Sequence, residues 1–198
     1  MQINAVYPNG STGKIVKSIH YQLIKENNLS IVLFGRGKHV NEKNVHKVEP
    51  EIIMKIQSAW AKLTGFAYGS GFFSTKKIIE IIKEKNPDIV HLQCINAYIV
   101  NVYKEFMYTA GCGHALNCDK WQIHCNHCPQ KGHGRPASLI FDRSYEEWEM
   151  MKDSFLGFNN ITIVAVSEWL AERAKKSPFL QDKDIRVIHN GIDTENVF

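Results

Sequence analysis

Four closely spaced cysteines are the side chains of this sequence most able to do chemistry. Their spacing is C-x5-C-x6-C-x2-C, and four thiolates so spaced can close a tetrahedral Zn²⁺ site. Any of three neighbouring histidines could replace one thiolate, and an iron–sulfur cluster or two disulfides would use the same cysteines. The predicted metal ligands are Cys112, Cys118, Cys125 and Cys128, and the three histidines are His114, His124 and His127.

A metal ion with four protein ligands has no open coordination position, so it supports structure and not catalysis. We therefore predict a structural zinc ion in a Cys-rich lobe inserted at residues 108–137, which is too short to build its own core. The C-x2-C pair is remote from any predicted strand–helix junction, which argues against a thioredoxin-type redox motif.

The bulk composition is that of an ordinary folded domain. The 198 residues are 44% apolar and 22% charged, enough for one substantial domain or two small ones. The 24 Lys and Arg residues are spread along the chain and leave a net charge of +4, whereas nucleic-acid binders cluster their cations. We predict no nucleic-acid partner. No secretory leader or membrane-spanning run is visible, so we predict a cytoplasmic location, where reduced thiols favour a metal over disulfides.

Alternating strand and helix patterns predict the fold class. A short apolar strand leads through the Gly-rich turn Pro8–Gly13 into a helix in which Ile15, Ile19 and Leu23 recur every four residues. Repeated along the chain, this alternation predicts an α/β fold with a doubly wound parallel sheet. The continuous apolar run at Ile161–Val166 is typical of a strand buried on both sides. The predicted strands are Ile3–Tyr7, Ser30–Gly35, Asp88–Gln93, Ile161–Val166 and Ile185–Gly191.

Apolar residues that recur every three or four positions predict the other helices. Residues 96–108 and 144–157 form two of them, the second with Trp148, Met151 and Phe155 on one face, and Ser167 caps a third. Ser74 is predicted to cap a helix that Pro87 ends. The buried side of that helix would carry Ile78, Ile79, Ile81 and Ile82. A helix over residues 52–66 would carry Ile52, Ile56, Ala59, Trp60 and Leu63 on one side, and the polar residues 35–43 before it are predicted to form a loop.

In a doubly wound sheet, ligands bind beyond the carboxyl ends of the strands, beside the helix N-termini. The loop "NGSTGK" (Asn9–Lys14) belongs there, and its glycines would let backbone N–H groups approach an anion. Its spacing is neither G-x-x-x-x-G-K-[ST] nor G-x-G-x-x-G, so a tight strand–helix turn without a ligand explains it equally well. Other loops predicted at this edge contain Gln93, Asn96, Ser167 and Asn190.

Three motifs follow one another along the chain: "VYPNGSTGKIVKSIH", "NPDIVHLQCINAY" and "ITIVAVSEWLAERAKKS" with its sequel "IRVIHNGID". Their order and spacing resemble the N-terminal domain of a GT-B glycosyltransferase of the family 4 type. The Cys-rich stretch resembles a lobe found in a bacterial subset of these enzymes. The matching residues of that stretch are Cys112, Cys118, Asp119, Lys120, Trp121, Cys125, Cys128, Pro129 and Gln130.

This resemblance implies retaining transfer of a sugar from a nucleotide-sugar to a glycan or lipid-linked acceptor in bacterial polysaccharide synthesis. A lipid-linked acceptor would bring the protein to the inner membrane surface. The resemblance also implies that this domain holds the acceptor, and that no divalent metal acts at the donor. By analogy, the residues that line the cleft floor near the donor diphosphate are Gly10, Ser11, Thr12 and Gly13. Gln93, Asn96, Ser167 and Asn190 complete the predicted substrate-binding set, and we assign no catalytic residue.

The sequence departs from the family pattern in two places. It stops at Phe198, just past "NGID", so we expect residues 1–198 to form the N-terminal domain without the C-terminal donor-binding domain. Relatives also have an apolar strand ending in Leu-His before the segment that matches "EFMYTAGC", and that strand and its active-site histidine are missing here. Such a loss would leave a gap in a parallel sheet and expose the edges of its neighbours.

These departures leave a second function open. The chain could be a non-catalytic, zinc-stabilised module, a degenerate fragment of such an enzyme that recognises a glycan or a protein partner. Sugar transfer by the natural protein distinguishes the enzyme from the binding module.

Overall fold

The computed structural model describes residues 1–64, 71–93, 118–129 and 141–191, in which strands and helices alternate. The strands are β1 (Gln2–Val6), β2 (Val32–Arg36), β3 (Val45–Lys47), β4 (His91–Leu92), β5 (Thr162–Ala165) and β6 (Asp184–Val187). The helices are α1 (Ser11–Lys25), α2 (Glu51–Thr64), α3 (Phe72–Lys85), α4 (Ser144–Phe155) and α5 (Glu168–Lys175), with a 3-10 turn at Lys120–Gln122. None of the helices in these ranges combines the length and apolar character needed to cross a membrane. The helix predicted over residues 96–108 lies outside the described residues.

All strand pairs are parallel, which confirms the predicted α/β fold with a parallel sheet. Four strands form one sheet in the order β3-β2-β1-β4, and β5 pairs with β6 in a second sheet. Within the described ranges no strand joins β4 to β5.

Helices cover both faces of the four-stranded sheet, because successive strand residues point to opposite sides. Ile3 and Leu33 point to one face, where they pack with Met54 of α2 and Ile78 of α3. Val32 and Phe34 point to the other face and share a cluster with Val16 of α1. The sheet is therefore doubly wound, as the sequence predicted.

A separate core lies on the two-stranded sheet. Trp148, Met151 and Phe155 lie on the buried side of α4, as predicted, and pack against Ile163 of β5. The prediction that this strand is buried on both sides was wrong, because Val164 is 44% exposed and Thr162 is exposed as well. The aromatic cluster covers one face of the strand and leaves the other open.

Several element boundaries differ from those predicted. β3 was not predicted, and β4 is shorter than the strand expected at Asp88–Gln93. α3 begins at Phe72 with Gly71 at its N-cap, so Ser74 is a buried residue of the helix and not its cap. Ile79, predicted to be buried, is 45% exposed because α3 turns only Ile78 fully inward.

The chain passes from β1 into α1 through an unusually close turn. Gly10 has a φ of 79°, a left-handed conformation that glycine adopts without strain. Ser11 already begins α1, so the predicted turn Pro8–Gly13 is shorter than expected. A Cβ on Gly13 would lie 3.2 Å from the carbonyl carbon of Pro8 and 3.2 Å from the carbonyl oxygen of Val6. A side chain at position 13 would therefore press on the backbone of Val6 and Pro8.

Replacing Gly13 by Ala tests this close approach. Alanine favours a helix over glycine by about 1 kcal/mol, yet we expect a net destabilisation of about 1–3 kcal/mol because the new methyl group meets fixed backbone atoms. The measurement is the urea unfolding midpoint. The matched control is Gly191→Ala, since a Cβ at Gly191 would meet nothing within 4 Å. A Gly13→Ala protein as stable as the control would contradict the account.

Candidate functional site

A cavity of about 390 Å³ opens at the carboxyl ends of β1 and β2. This is the edge at which doubly wound sheets bind their ligands. Two loops enclose it, one after each strand, and Gly37 in the second loop has a φ of 115°. A Cβ on Gly37 would lie 3.4 Å from the carbonyl oxygen of Tyr7, so the two loops are in contact. The cavity is lined by Val6, Tyr7, Pro8, Asn9, Gly10, Arg36, Gly37, Lys38 and Val40.

The predicted Gly-rich loop contributes to this cavity in part. Gly10 lines it, and Ser11, in the first turn of α1, is exposed next to it. Thr12 is half-buried, and Gly13 is buried beneath the loop. Gly10 is thus the residue of the predicted set that faces the cavity, whereas Gly13 shapes the turn.

A buried asparagine supports the loop from below. Asn4 is fully buried in β1, and its Nδ2 donates to the carbonyl oxygen of Val6 at 2.7 Å and to the Thr12 hydroxyl at 3.3 Å. Buried amides are costly unless they are hydrogen-bonded, so these bonds both satisfy Asn4 and fix the start of α1. This role could not be predicted, because no local motif marks a buried asparagine within the strand Ile3–Tyr7.

Positive charge dominates the loop that follows β2. Arg36 and Lys38 line the cavity, and the Lys47 ammonium donates to the carbonyl oxygen of Gly37 at 2.5 Å. Glu51 is the acidic neighbour, with its carboxylate 3.4 Å from the Lys47 nitrogen and 3.8 Å from Nε of Arg36. Three cations face two carboxylates here, Glu51 and the Glu42 that bonds the cavity residue Tyr7, which leaves a small net positive charge that favours an anionic group in the cavity.

The Glu42 carboxylate accepts hydrogen bonds from two tyrosines, of which Tyr7 lines the cavity. The Tyr7 hydroxyl donates to Oε2 of Glu42 at 2.7 Å, and the Tyr21 hydroxyl donates to the same oxygen at 3.2 Å. Burial, reinforced by the Glu42 carboxylate, raises the pKa of Tyr7 well above its ordinary value. Tyr7 therefore stays neutral and serves as a structural donor, unsuited to act as a base.

Gln93 links the end of β4 to the middle of the sheet. Its Nε2 donates to Oε1 of Gln2 at 2.8 Å, and its backbone N–H donates to the carbonyl oxygen of Ile3 at 3.0 Å. Gln2 is buried, so these bonds fix the position of Gln93 at the edge of the sheet. Asn96, the other residue predicted in this loop, lies outside the described residues.

The remaining predicted residues lie at the carboxyl edge of the two-stranded sheet. The Ser167 hydroxyl accepts a hydrogen bond from the N–H of Leu170 at 3.3 Å, which confirms the predicted helix cap. Asn190 is exposed after β6, and Nδ1 of its neighbour His189 lies 3.1 Å from the carbonyl oxygen of Val166. The structure thus distributes the predicted substrate-binding residues over the edges of both sheets.

The described part of the Cys-rich stretch, residues 118–129, is folded around Lys120 and Trp121. The Lys120 ammonium donates to the carbonyl oxygens of Asn126 at 3.0 Å and His127 at 3.3 Å, which closes the loop. Trp121 is 1% exposed within the aromatic core, and its carbonyl oxygen accepts from Nε1 of Trp148 at 3.1 Å. This segment is therefore anchored on α4 by a buried tryptophan.

The thiolates of this stretch do not form a complete ligand set within the described residues. Cys118, Cys125 and Cys128 are half-buried, and the fourth predicted ligand, Cys112, lies outside the described ranges. Across those ranges, no three His, Cys, Asp or Glu side chains are grouped so that they could hold a metal ion. The zinc site, like the boundaries of the lobe at 108–137, stays a prediction.

His124 is held by protein groups. Its Nε2 lies 2.9 Å from Oε1 of Glu149, and its ring packs against Tyr145 and Trp148 with centroid distances of 4.6 and 4.4 Å. This contact engages Nε2, and the role of His124 as an alternative metal ligand stays a prediction. Its partner lies 25 residues away, so no local signal could have assigned this role.

Comparison with known families agrees with the fold. A family model described as Glycosyltransferase Family 4 matches residues 31–196. No curated protein matches the chain significantly. The matched region contains most of the chain, including β2 to β6 and the loop with Arg36 and Lys38. The chain therefore belongs to glycosyltransferase family 4, whose members transfer a sugar from a donor to an acceptor.

Proposed function

We propose that this chain is the acceptor-binding half of a retaining glycosyltransferase that uses a nucleotide-sugar donor. The observation that carries the proposal is the cavity between the loops after β1 and β2. It lies at the ligand-binding edge of a parallel sheet, and its walls are fixed by the Asn4 and Tyr7 hydrogen bonds. A preformed cavity of this kind can hold one substrate while a second is presented to it.

The chemistry required of such a site is positioning. In the transfer, the bond between the sugar and the nucleoside diphosphate breaks, and a bond forms to an acceptor hydroxyl, which loses its proton. The nucleoside diphosphate leaves with the bonding electrons. Holding the acceptor hydroxyl next to the donor sugar converts a bimolecular reaction into an effectively unimolecular one. We assign that holding role to the cavity and its two loops.

The charge of the cavity favours an acceptor that carries an anionic group. Arg36 and Lys38 line it, and Lys38 makes no ion pair with any residue of the described ranges. A phosphate of a lipid-linked glycan or an acidic sugar of a polysaccharide would satisfy these cations. Both acceptors fit bacterial polysaccharide synthesis at the cytoplasmic side of the inner membrane, which we propose as the setting.

The variant Lys38→Gln tests the acceptor-binding role. In the natural protein, incubated with labelled nucleotide-sugars and membrane-extracted acceptors, we expect the acceptor KM to rise about fivefold or more, because a charge-assisted contact contributes more than about 1 kcal/mol. The donor KM should not change. The matched control is Lys25→Gln, which removes the same charge at the C-terminal end of α1, on the opposite edge of the sheet.

Equal acceptor KM values for the two variants would contradict the acceptor site. The anomeric configuration of the product, read by NMR, tests retention separately: an inverted product would overturn the retaining mechanism alone. Binding of glycans without any sugar transfer by the natural protein would favour the non-catalytic module.

We also propose that the Cys-rich stretch binds one structural zinc ion. Four thiolates suit zinc chemically, and such a site would fix the lobe without taking part in the reaction. The hydrogen bonds of Lys120 to the carbonyl oxygens of Asn126 and His127 fold the segment between Cys118 and Cys128 into a closed loop, which supports the proposal.

Metal content and thiol counts test this proposal. We expect about one zinc per chain for a four-thiolate site, and its loss in a Cys125→Ser/Cys128→Ser variant. Cys94→Ser is the control, because Cys94 is outside the predicted ligand set, and it should retain the metal. Metal-free protein without titratable thiols would show disulfides instead, and bound iron with visible absorbance would show an iron–sulfur cluster; either result contradicts zinc.

A further inference from the structure

The Glu51 carboxylate acts on the cavity from outside its lining. Glu51 begins α2, and its Oε1 lies 3.8 Å from Nε of Arg36, which lines the cavity. That distance is too long for a hydrogen bond, so Glu51 offsets the Arg36 charge and leaves the planar fork of N–H donors available to a ligand. Its Oε2 lies 3.4 Å from Nζ of Lys47, which donates to the carbonyl oxygen of Gly37. Glu51 therefore influences the charge of the loop after β2 at two points.

The charged groups at the cavity nearly balance. In the described part of the chain, the cations that line it or contact its lining are Arg36, Lys38 and Lys47. The carboxylates that contact its lining are Glu42 and Glu51. Three positive and two negative groups leave a net charge of plus one, and removal of Glu51 would raise it to plus two.

A single excess positive charge suits a singly charged anion better than a doubly charged one. The attraction grows in proportion to the charge of the ligand, whereas the cost of taking the ligand out of water grows with the square of that charge. At neutral pH a carboxylate carries one negative charge, and a phosphate monoester carries about 1.5 to 2. The charge balance of the cavity therefore favours a carboxylate.

The rest of the lining suits one sugar unit. Val6, Pro8 and Val40 are half-buried and give the cavity an apolar wall. Its volume of about 390 Å³ is near the lower end of the roughly 300–1,000 Å³ of small-molecule sites, which combine apolar walls with a few orienting polar groups. The planar fork of Arg36 matches the two oxygens of a carboxylate. A sugar ring on the apolar wall, with its carboxylate towards Arg36, would use both features.

We propose that Glu51 is a specificity-determining residue, which makes the cavity select an acceptor sugar with one carboxylate over a phosphorylated sugar. Glu51 does so through Arg36 and Lys47 and does not itself contact the acceptor. This inference rests on the proposed function, because it takes the cavity to hold the acceptor.

A purely structural role of Glu51 would have different consequences. The Lys47 side chain is 14% exposed, and a largely buried ammonium needs a counter-charge, which Glu51 supplies. Loss of that counter-charge alone would lower the stability of the fold without changing the relative affinities of different ligands. The ratio of two affinities therefore distinguishes the two roles.

Three sugars that differ at C6 alone test the selectivity of the full chain: glucose, glucuronate and glucose 6-phosphate. NMR titrations give each Kd, and the backbone amides of Gly10 and Gly37 report binding in the cavity. We expect glucuronate to bind at least about tenfold more tightly than glucose, because a charge-assisted contact is added. It should bind at least about threefold more tightly than glucose 6-phosphate, because less charge is taken out of water.

The variant Glu51→Gln should shift this selectivity. It raises the net charge of the cavity, so we expect the affinity for glucose 6-phosphate relative to glucuronate to rise at least about fivefold. Glu51→Asp keeps the charge and should keep the wild-type preference. The matched control is Glu146→Gln, which removes a first-turn carboxylate that pairs with Arg143 at 2.8 Å on α4. The control should leave the ratio unchanged.

Three results would overturn the proposal: no binding of the three sugars in the cavity, glucose 6-phosphate bound by the wild-type chain as tightly as glucuronate, or the same affinity ratio in Glu51→Gln and Glu146→Gln. The wild-type preference is measured without any variant, so the proposal can fail even if Glu51→Gln does not fold. A preference for phosphate would leave the acceptor site itself standing, because phosphate is also anionic. That site fails instead if Lys38→Gln leaves the acceptor KM unchanged.

Discussion

The close return of the chain from β1 into α1 is the constraint on which the site depends. Gly13 packs directly on the backbone of Val6 and Pro8, where a Cβ would lie 3.2 Å from backbone atoms of both residues. Asn4 fills the space below and hydrogen-bonds both sides of the turn. Because the first loop is held in this way, Gly37 can bring the loop after β2 against it, and the cavity opens between them. A looser turn would separate the two loops, and the cavity between them would be lost.

Long segments with one periodic apolar face could be predicted from the sequence. Very short strands could not, and neither could the orientation of a helix with apolar residues on two sides. The face of α4 with Trp148 and Phe155 followed from its apolar spacing. β3 has three residues, too few for any periodicity, and exists because Val45 pairs with Val32 of β2. α2 has apolar residues on two sides, and periodicity alone does not say which side meets the sheet. Packing against Ile3 and Leu33 selects Met54 for the inside and leaves the other side exposed.

The candidate site was predictable where a local pattern marks it. Glycines at a strand–helix junction located the loop that holds Gly10. Arg36 and Lys38 were missed because cations in a polar loop resemble any solvated surface, and only the pairing of β1 with β2 brings them to the cavity. The contact between His124 and a carboxylate on α4 was missed because it is a long-range contact without a local signature.

The central claim is that the loops after β1 and β2 together hold the sugar acceptor. Hydrogen–deuterium exchange of the natural protein, with and without the acceptor that supports transfer, tests it most directly. The account predicts slower exchange in residues 7–13 and 36–40, and no change in residues 25–30 at the opposite edge of the sheet. Unchanged exchange in both loops, with acceptor-induced protection elsewhere in the chain, would contradict it.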